Sequence, residues 1–240
     1  MVLIPETLER PELTKAQLTP DFIKKAMSDT AWDFGNQVLY DMCKANAEHK
    51  STQIIIGKIW LIGRTYAAAV ERRRNKGSET GDAFYEEVVA PKIRQSDIDI
   101  WFEAIRASNK VDVALHLQTH ARVTNLLTEI SGLEKRSLAS KYLHFHFPEL
   151  FYIYDSRAKN VVSALTEPLG RRLPALQEHD HAYAQFFFRC RDLQQRLAFL
   201  AGRSLSLREF DKVLLAFDRQ RKPILPAKAA MPGRLQESEF

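Results

Sequence analysis

Cysteine is scarce in this chain: Cys43 and Cys190 are the only two, far apart and in neither metal-ligand nor redox spacing. That excludes a disulfide framework or a cysteine-built zinc site, and it points to a reducing compartment, the cytoplasm. Long hydrophobic runs are missing as well. The most apolar stretch, residues 54–62, is interrupted by Lys58 and is roughly half of the ~20 residues that cross a bilayer, so it is expected as a core helix. Residues 1–12 carry prolines and acids where a signal peptide would need a basic end and an apolar run, so neither export nor a membrane partner is expected. No internal repeat is present, and no stretch alternates apolar and polar residues as a half-buried strand would. The expected class is all-α.

What is there suffices for a core without metal or disulfides: 240 residues, 45% of them hydrophobic. The net charge of +5 and pI of 9.2 are compatible with a polyanionic partner. In chain order, Thr19 before Pro20 opens a short helix over 20–27. Asp29 and Thr30 are read as caps for a helix over 31–47 that buries Trp32, Val38, Leu39 and Met42, with Asp33 and Asn36 as local hydrogen-bonding groups. A long helix over 52–74 follows, its Gly63, Ala67 and Ala68 small enough to admit a close neighbour, ending in Arg72, Arg73 and Arg74. Those arginines have two readings, cations at a helix C-terminus or phosphate contacts. Pro91 is expected to stop a helix over 80–90; Asp97 and Asp99 open the next, and a long amphipathic helix spans 111–130. His116 and His120 on it are one turn apart, but no third zinc ligand accompanies them, and no metal or cofactor is expected. Helices over 156–165, 181–201 (closed by Gly202) and from Ser206, with Glu209 completing a capping box, to about 217 finish the body. The expected organisation is a loose segment over 1–17, one helical domain over 18–221, and a proline- and alanine-rich tail over 222–240.

The stretch from Ser131 to Arg157 combines the most chemistry: a glycine turn at Gly132, a helix from Arg136, a break at Pro148, the apolar run Phe151-Tyr152-Ile153-Tyr154, and Asp155 opening another helix. On a helix, Ser137, Lys141 and His144 share one face, with Leu138, Ala139, Tyr142 and Leu143 opposite. Asp155 at a helix start can accept backbone N–H groups, which fixes a carboxylate in place to stabilise developing positive charge or align a water. A buried lysine beside it can serve as an amine nucleophile. His144, His146 and Glu149 have metal-ligand residue types but flank the proline break, and no metal site is expected there.

This order of elements, from the long helix through the Gly132 turn and Pro148 to Asp155-Ser156-Arg157-Ala158-Lys159, resembles the helix-hairpin-helix base-excision DNA glycosylases. Ser140-Lys141-Tyr142-Leu143-His144-Phe145 with Ile153-Tyr154-Asp155-Ser156-Arg157 also resembles a block in poorly characterised bacterial proteins with an 8-oxoguanine-glycosylase-like fold, some in mobile or phage-defence contexts. The resemblance spans residues 112–165 and implies two helical lobes around a helix-hairpin-helix element. It also implies a hairpin that offers backbone N–H groups to phosphate, a catalytic aspartate at Asp155, and in lyase-active members a lysine near the start of the second hairpin helix. Counting back from Asp155 places that position on Ser137, Arg136 or Lys135, with Lys141 one turn further. The hairpin here reads Gly132-Leu133-Glu134, where the family has two glycines. The implied function is hydrolysis of the N-glycosidic bond of an extruded base, with nucleic acid, DNA in the first place, as partner. Asp155, Lys141 and Lys135 are the catalytic candidates. Gly132, Arg136, Ser137, His144, Arg157, Lys159, Arg72, Arg73 and Arg74 are the nucleic-acid-binding candidates, and Trp60, Tyr66 and Tyr154 candidate stacking platforms. The alternative is a non-catalytic DNA-binding or protein-interaction module of the same fold.

Overall fold

Ten α-helices and one π-helical turn make up the regular structure of a computed structural model that describes residues 18–72, 81–108, 112–169 and 178–221, and no strand occurs among them. They are α1 (Pro20–Met27), α2 (Asp33–Ala45), α3 (Thr52–Thr65), α4 (Ala90–Gln95), α5 (Ile98–Ala107), α6 (Val113–Ser131), α7 (Arg136–His146), α8 (Ser156–Leu165), α9 (His181–Ala201) and α10 (Leu207–Arg221). The protein is all-α, and no described helix is long and apolar enough to cross a membrane. Arg73, Arg74 and the terminal segments 1–17 and 222–240 lie outside the described residues.

Local chemistry sets many of the boundaries. Thr19 caps α1 by accepting from the Phe22 N–H at 3.2 Å, with Pro20 in the first turn. Asp180 caps α9 through the N–H groups of Ala182 and Tyr183, and Gly202 ends it in the left-handed region at φ 68°. Ser206 and Glu209 form a reciprocal capping box at α10: the Ser206 N–H donates to the Glu209 carboxylate and the Glu209 N–H to the Ser206 hydroxyl.

Helices α2 to α7 pack among themselves, whereas α1 lies with α8, α9 and α10. Helix α7 is enclosed by α2, α3 and α6, and every residue from Leu138 to Phe145 is buried. Phe84, Phe102, Phe145, Phe151, Phe210 and Phe217 are all nearly inaccessible; burying a side chain of this size stabilises the fold by roughly 1.5–3 kcal/mol. Cys43 and Cys190 are free and buried, and burial pushes the Cys43 thiol up to about 12.

Several expectations are corrected by packing. Helix α2 turns Asn36, Leu39 and Cys43 inward and leaves Trp32 and Phe34 about 80% exposed and Val38 half exposed. The reason is nonlocal: Asn36 accepts from the Tyr66 hydroxyl at 2.6 Å, which fixes the inner face of the helix. The start of α2 is tied by Asp33, whose carboxylate accepts from Thr30 and from Lys212 of α10, so Asp33 is a tertiary anchor as well as a local one. Helix α3 ends at Thr65, not near residue 74, because Ala67 takes the left-handed region at φ 51° and the chain folds back over Gly63. A Cβ at Gly63 would stand 3.0 Å from the Ala69 Cα, so the close neighbour of these small residues is the chain's own return. Pro91 does not stop its helix: residues Phe84–Val89 form a π-helical turn running straight into α4, with Pro91 in the first turn of α4. The wider turn before it accommodates both the ring and the missing N–H.

Candidate functional site

Helix α6 stops at Gly132, which adopts φ 70° and donates its N–H to the Thr128 carbonyl at 2.7 Å, and α7 begins at Arg136 without a side-chain cap. The Lys135 ammonium, placed at this turn, donates to the Arg72 carbonyl at 2.7 Å and so ties the turn to the segment after α3. Arg136 is held between Asp180 and Glu134 and covers the Tyr154 ring.

Three turns of α7 carry Ser137, Lys141 and His144 along one side as the helical period requires. Lys141 and His144 are buried and Ser137 is half-buried at the start of the helix, so most of the polar stripe is enclosed along with the apolar one. Lys141 is 2% exposed, and its Nζ donates to the Ser137 Oγ at 3.0 Å and the Tyr66 carbonyl at 3.2 Å. It also stands 3.6 Å from the Asp155 Oδ2. The other Asp155 oxygen caps α8, accepting the N–H groups of Arg157 at 3.0 Å and Ala158 at 2.9 Å. One carboxylate thus divides its oxygens, one for the helix start and one facing the lysine. Burial lowers the Lys141 pKa, against the pull of Asp155 and Asp211, which favour the ammonium.

His144 is wholly buried. Its Nδ1 lies 2.8 Å from the Phe151 carbonyl, which can only accept, so Nδ1 carries the proton and Nε2 accepts from the Tyr40 hydroxyl at 2.7 Å. Burial pulls its pKa down to about 4. Arg157 pairs with Asp218 of α10 at 2.7 Å, Arg72 donates to the Ala67 carbonyl, and Lys159 is exposed. Of the aromatic candidates, Trp60 is 43% exposed beside Arg64, whereas Tyr66 and Tyr154 are half-buried.

Residues that sequence reasoning passed over complete the neighbourhood. Asp211 of α10 is 5% exposed and accepts from Arg208 at 2.8 Å, and Arg208 also approaches Asp33. Burial pushes the Asp211 carboxyl up to about 6, with Arg208 working against it and Asp155 with it. The signal was present: Asp211 and Asp218 stand on the buried face of α10 with Leu207, Phe210, Leu214 and Phe217, and acids inside an apolar helical period demand internal partners. Lys58, which interrupts the apolar run of α3, is likewise inside, donating to the Asn46 and Glu48 carbonyls. His49 forms a second buried relay, with Nδ1 on Asp99 at 2.6 Å and Nε2 accepting from the Tyr142 hydroxyl at 2.7 Å.

His116 and His120 go to different partners, Phe151 and a flat stack on Tyr183 with 3.4 Å between centroids. Among the described residues no group of three histidine, cysteine or acidic side chains is set to hold a metal. A surface cavity of about 500 Å³ is lined by Asn46, Glu48, Lys50 and Arg106 among others, and none of the Lys141 cluster lines it. No protein-family model matches the chain, and neither does any curated protein or solved structure.

Proposed function

We propose that the protein is a glycosylase-like, nucleic-acid-binding protein of the helix-hairpin-helix class that hydrolyses the N-glycosidic bond of an extruded base. The observation that supports this reading is the pairing of Lys141 with Asp155, a buried amine 3.6 Å from a carboxylate whose second oxygen is fixed by a helix N-terminus. In that role Asp155 faces the positive charge that develops on the sugar as the bond to the base breaks, with no reorganisation needed at the moment of reaction. Lys141 supplies either positive charge or, once deprotonated, an amine that attacks the sugar carbon. The substrate reaches the pair from the side of Asp155, whose side chain is 26% exposed against 3% for Lys141. The uncapped start of α7 after Gly132 leaves backbone N–H groups for a phosphate. Exposed Lys159 adds a cation; Arg136 and Arg157 reach phosphate only by exchanging Asp180 and Asp218.

The burial of Lys141 and the internal ion pairs of Arg136 and Arg157 favour a second reading, a non-catalytic module in which the same groups brace the helices. One experiment separates them. The protein is incubated with a panel of modified and damaged DNA duplexes and single strands, scoring base release and borohydride trapping. Release abolished by Asp155→Asn, with trapping lost in Lys141→Gln, supports the first reading. Salt-sensitive DNA binding without release on any substrate supports the second.

A further inference from the structure

Ser137, the second residue of α7, has no part in the glycosidic chemistry, yet its Oγ lies 3.0 Å from the Lys141 Nζ. One helical turn separates the two residues, so they share a side of the helix. The same amine stands 3.6 Å from the Asp155 Oδ2, and the other oxygen of that carboxylate is fixed by the N–H groups of Arg157 and Ala158. Hydroxyl, amine and fixed carboxylate thus follow one another in the order of nucleophile, base and orienting group, which is how proteins activate a weak nucleophile. We propose that Ser137 is a nucleophile, and that Ser137, Lys141 and Asp155 form a serine–lysine site that hydrolyses esters of small carboxylic acids. This goes beyond the glycosylase reading: an oxygen nucleophile attacks an acyl carbon, and no nucleic acid is needed.

Exposure suits the two roles. Ser137 is half-buried and so reaches only a small acyl group, whereas Lys141 is 2% exposed, in surroundings that disfavour its charge. The charged groups acting on the amine are Asp155 at the start of α8, Asp211 on α10 and Arg72 after α3, with the Tyr66 ring 5.7 Å away; burial outweighs the two acids and lowers its pKa. The Ala139 N–H donates to the Lys135 carbonyl, but among the described residues those of Ser137 and Leu138 have no acceptor. They are the amides of the nucleophile and of the residue after it, from which backbone donors meet an acyl oxyanion. In the reaction, the free amine of Lys141 takes the Ser137 proton as Oγ bonds to the carbonyl carbon, and the carbonyl electrons move onto the oxygen held by these amides. As C=O re-forms, the bond to the alcohol oxygen breaks and the Lys141 ammonium returns its proton to the leaving alcohol. A water deprotonated by Lys141 then attacks the acyl–serine, releasing the acid and restoring Ser137. Asp155 acts as a positioning residue, aligning the amine and facing the ammonium in each half.

The test traps the serine. Full-length protein is treated with a fluorophosphonate, which forms an Oγ–P bond with loss of fluoride, and the adduct is located by intact mass and peptide mapping; turnover of p-nitrophenyl acetate is followed in parallel. The wild type should carry one adduct, on Ser137, formed faster as pH rises from 6 to 10 and the amine loses its proton. Ser137→Ala should abolish both labelling and turnover, and Lys141→Met should slow them about 100-fold or more, the contribution of a general base. Asp155→Asn removes an anion that favours the ammonium, so the rise in labelling rate should move to lower pH. A wild type with no adduct, or with one on another residue, would overturn the proposal without any variant. So would a Ser137 adduct whose rate ignores both pH and Lys141→Met; a rise left in place by Asp155→Asn would overturn the role given to Asp155. The DNA panel decides the glycosylase reading separately: base release without Ser137 labelling defeats this proposal alone, and Ser137 labelling without base release defeats that reading alone.

Discussion

Asp155 offers the sharpest test of the structure because its two oxygens do separable work. Replacement by asparagine keeps a capping oxygen for the N–H groups of Arg157 and Ala158, since asparagine caps about as well as aspartate, but removes the charge facing Lys141. Removing one partner of a fully buried ion pair costs about 3–5 kcal/mol. Here water reaches Asp155, and Lys141 retains the Ser137 hydroxyl, the Tyr66 carbonyl and the field of Asp211. We therefore expect about half of that, ~1.5–2.5 kcal/mol, for Asp155→Asn. Asp155→Ala also loses the cap, a further ~1 kcal/mol. Urea unfolding at pH 7 measures both as shifts of the midpoint at unchanged slope. If Asp155→Asn lies within about 0.5 kcal/mol of the wild type, the usual range for uncoupled surface changes, the lysine and the carboxylate are not coupled and do not form a site. Combining Asp155→Asn with Lys141→Met closes a double-mutant cycle that reports the pair alone.

Acid should unfold the protein in a defined window. His144 and His49 are held down to about 4, His120 to about 3 and His146 well below its ordinary value, all by burial first. The unfolded chain takes up these protons below pH ~6.5 while the folded chain refuses them, so the stability they confer is full above that pH and lost as it falls toward 4. His144 alone accounts for about 3 kcal/mol of that loss. Asp211 works in the opposite sense, binding its proton in the folded state up to about pH 6. Urea unfolding at pH 7, 5.5 and 4.5 should therefore show a steep net fall, shallower in His144→Phe; a flat profile contradicts the burial of these rings. Gly132→Ala should lower stability by about 1 kcal/mol from its positive φ alone, because no atom stands within 4 Å of the added Cβ. Ala67→Gly should raise it by about 0.5 kcal/mol, relief of the left-handed backbone outweighing the added freedom of the unfolded chain; thermal melts check both.

How much of this the sequence carried depended on the range of the interaction. Thr19, Gly202, and Ser206 with Glu209 announce helix ends because their partners lie within a few residues. Asp155 was legible for the same reason: its N–H partners are two and three residues on. The inner face of α2 was not, because Asn36 answers to Tyr66, and an apolar count alone places Trp32 and Val38 inside. The end of α3 was hidden because its cause is the chain folding back over Gly63 and not a breaker residue. Ser137, Lys141 and His144 were correctly set on one face, but that face was read as a polar stripe, since nothing local says that α2, α3 and α6 close over it. Arg208 and Asp211 joined the site only through tertiary packing of α10 on α8.

The enclosure of α7 along residues 138–145 has a consequence for motion. Amide hydrogens exchange with solvent through local opening where an element has an outer face to fray, and only through global unfolding where it has none. With Leu138 to Phe145 all buried, the α7 amides belong to the slowest-exchanging set in the molecule. Lys141 is anchored on a helix with no outer face over residues 138–145, so whatever meets its amine comes to it through side chains that move, above all the partly exposed Asp155, and not through fraying of the backbone that carries it.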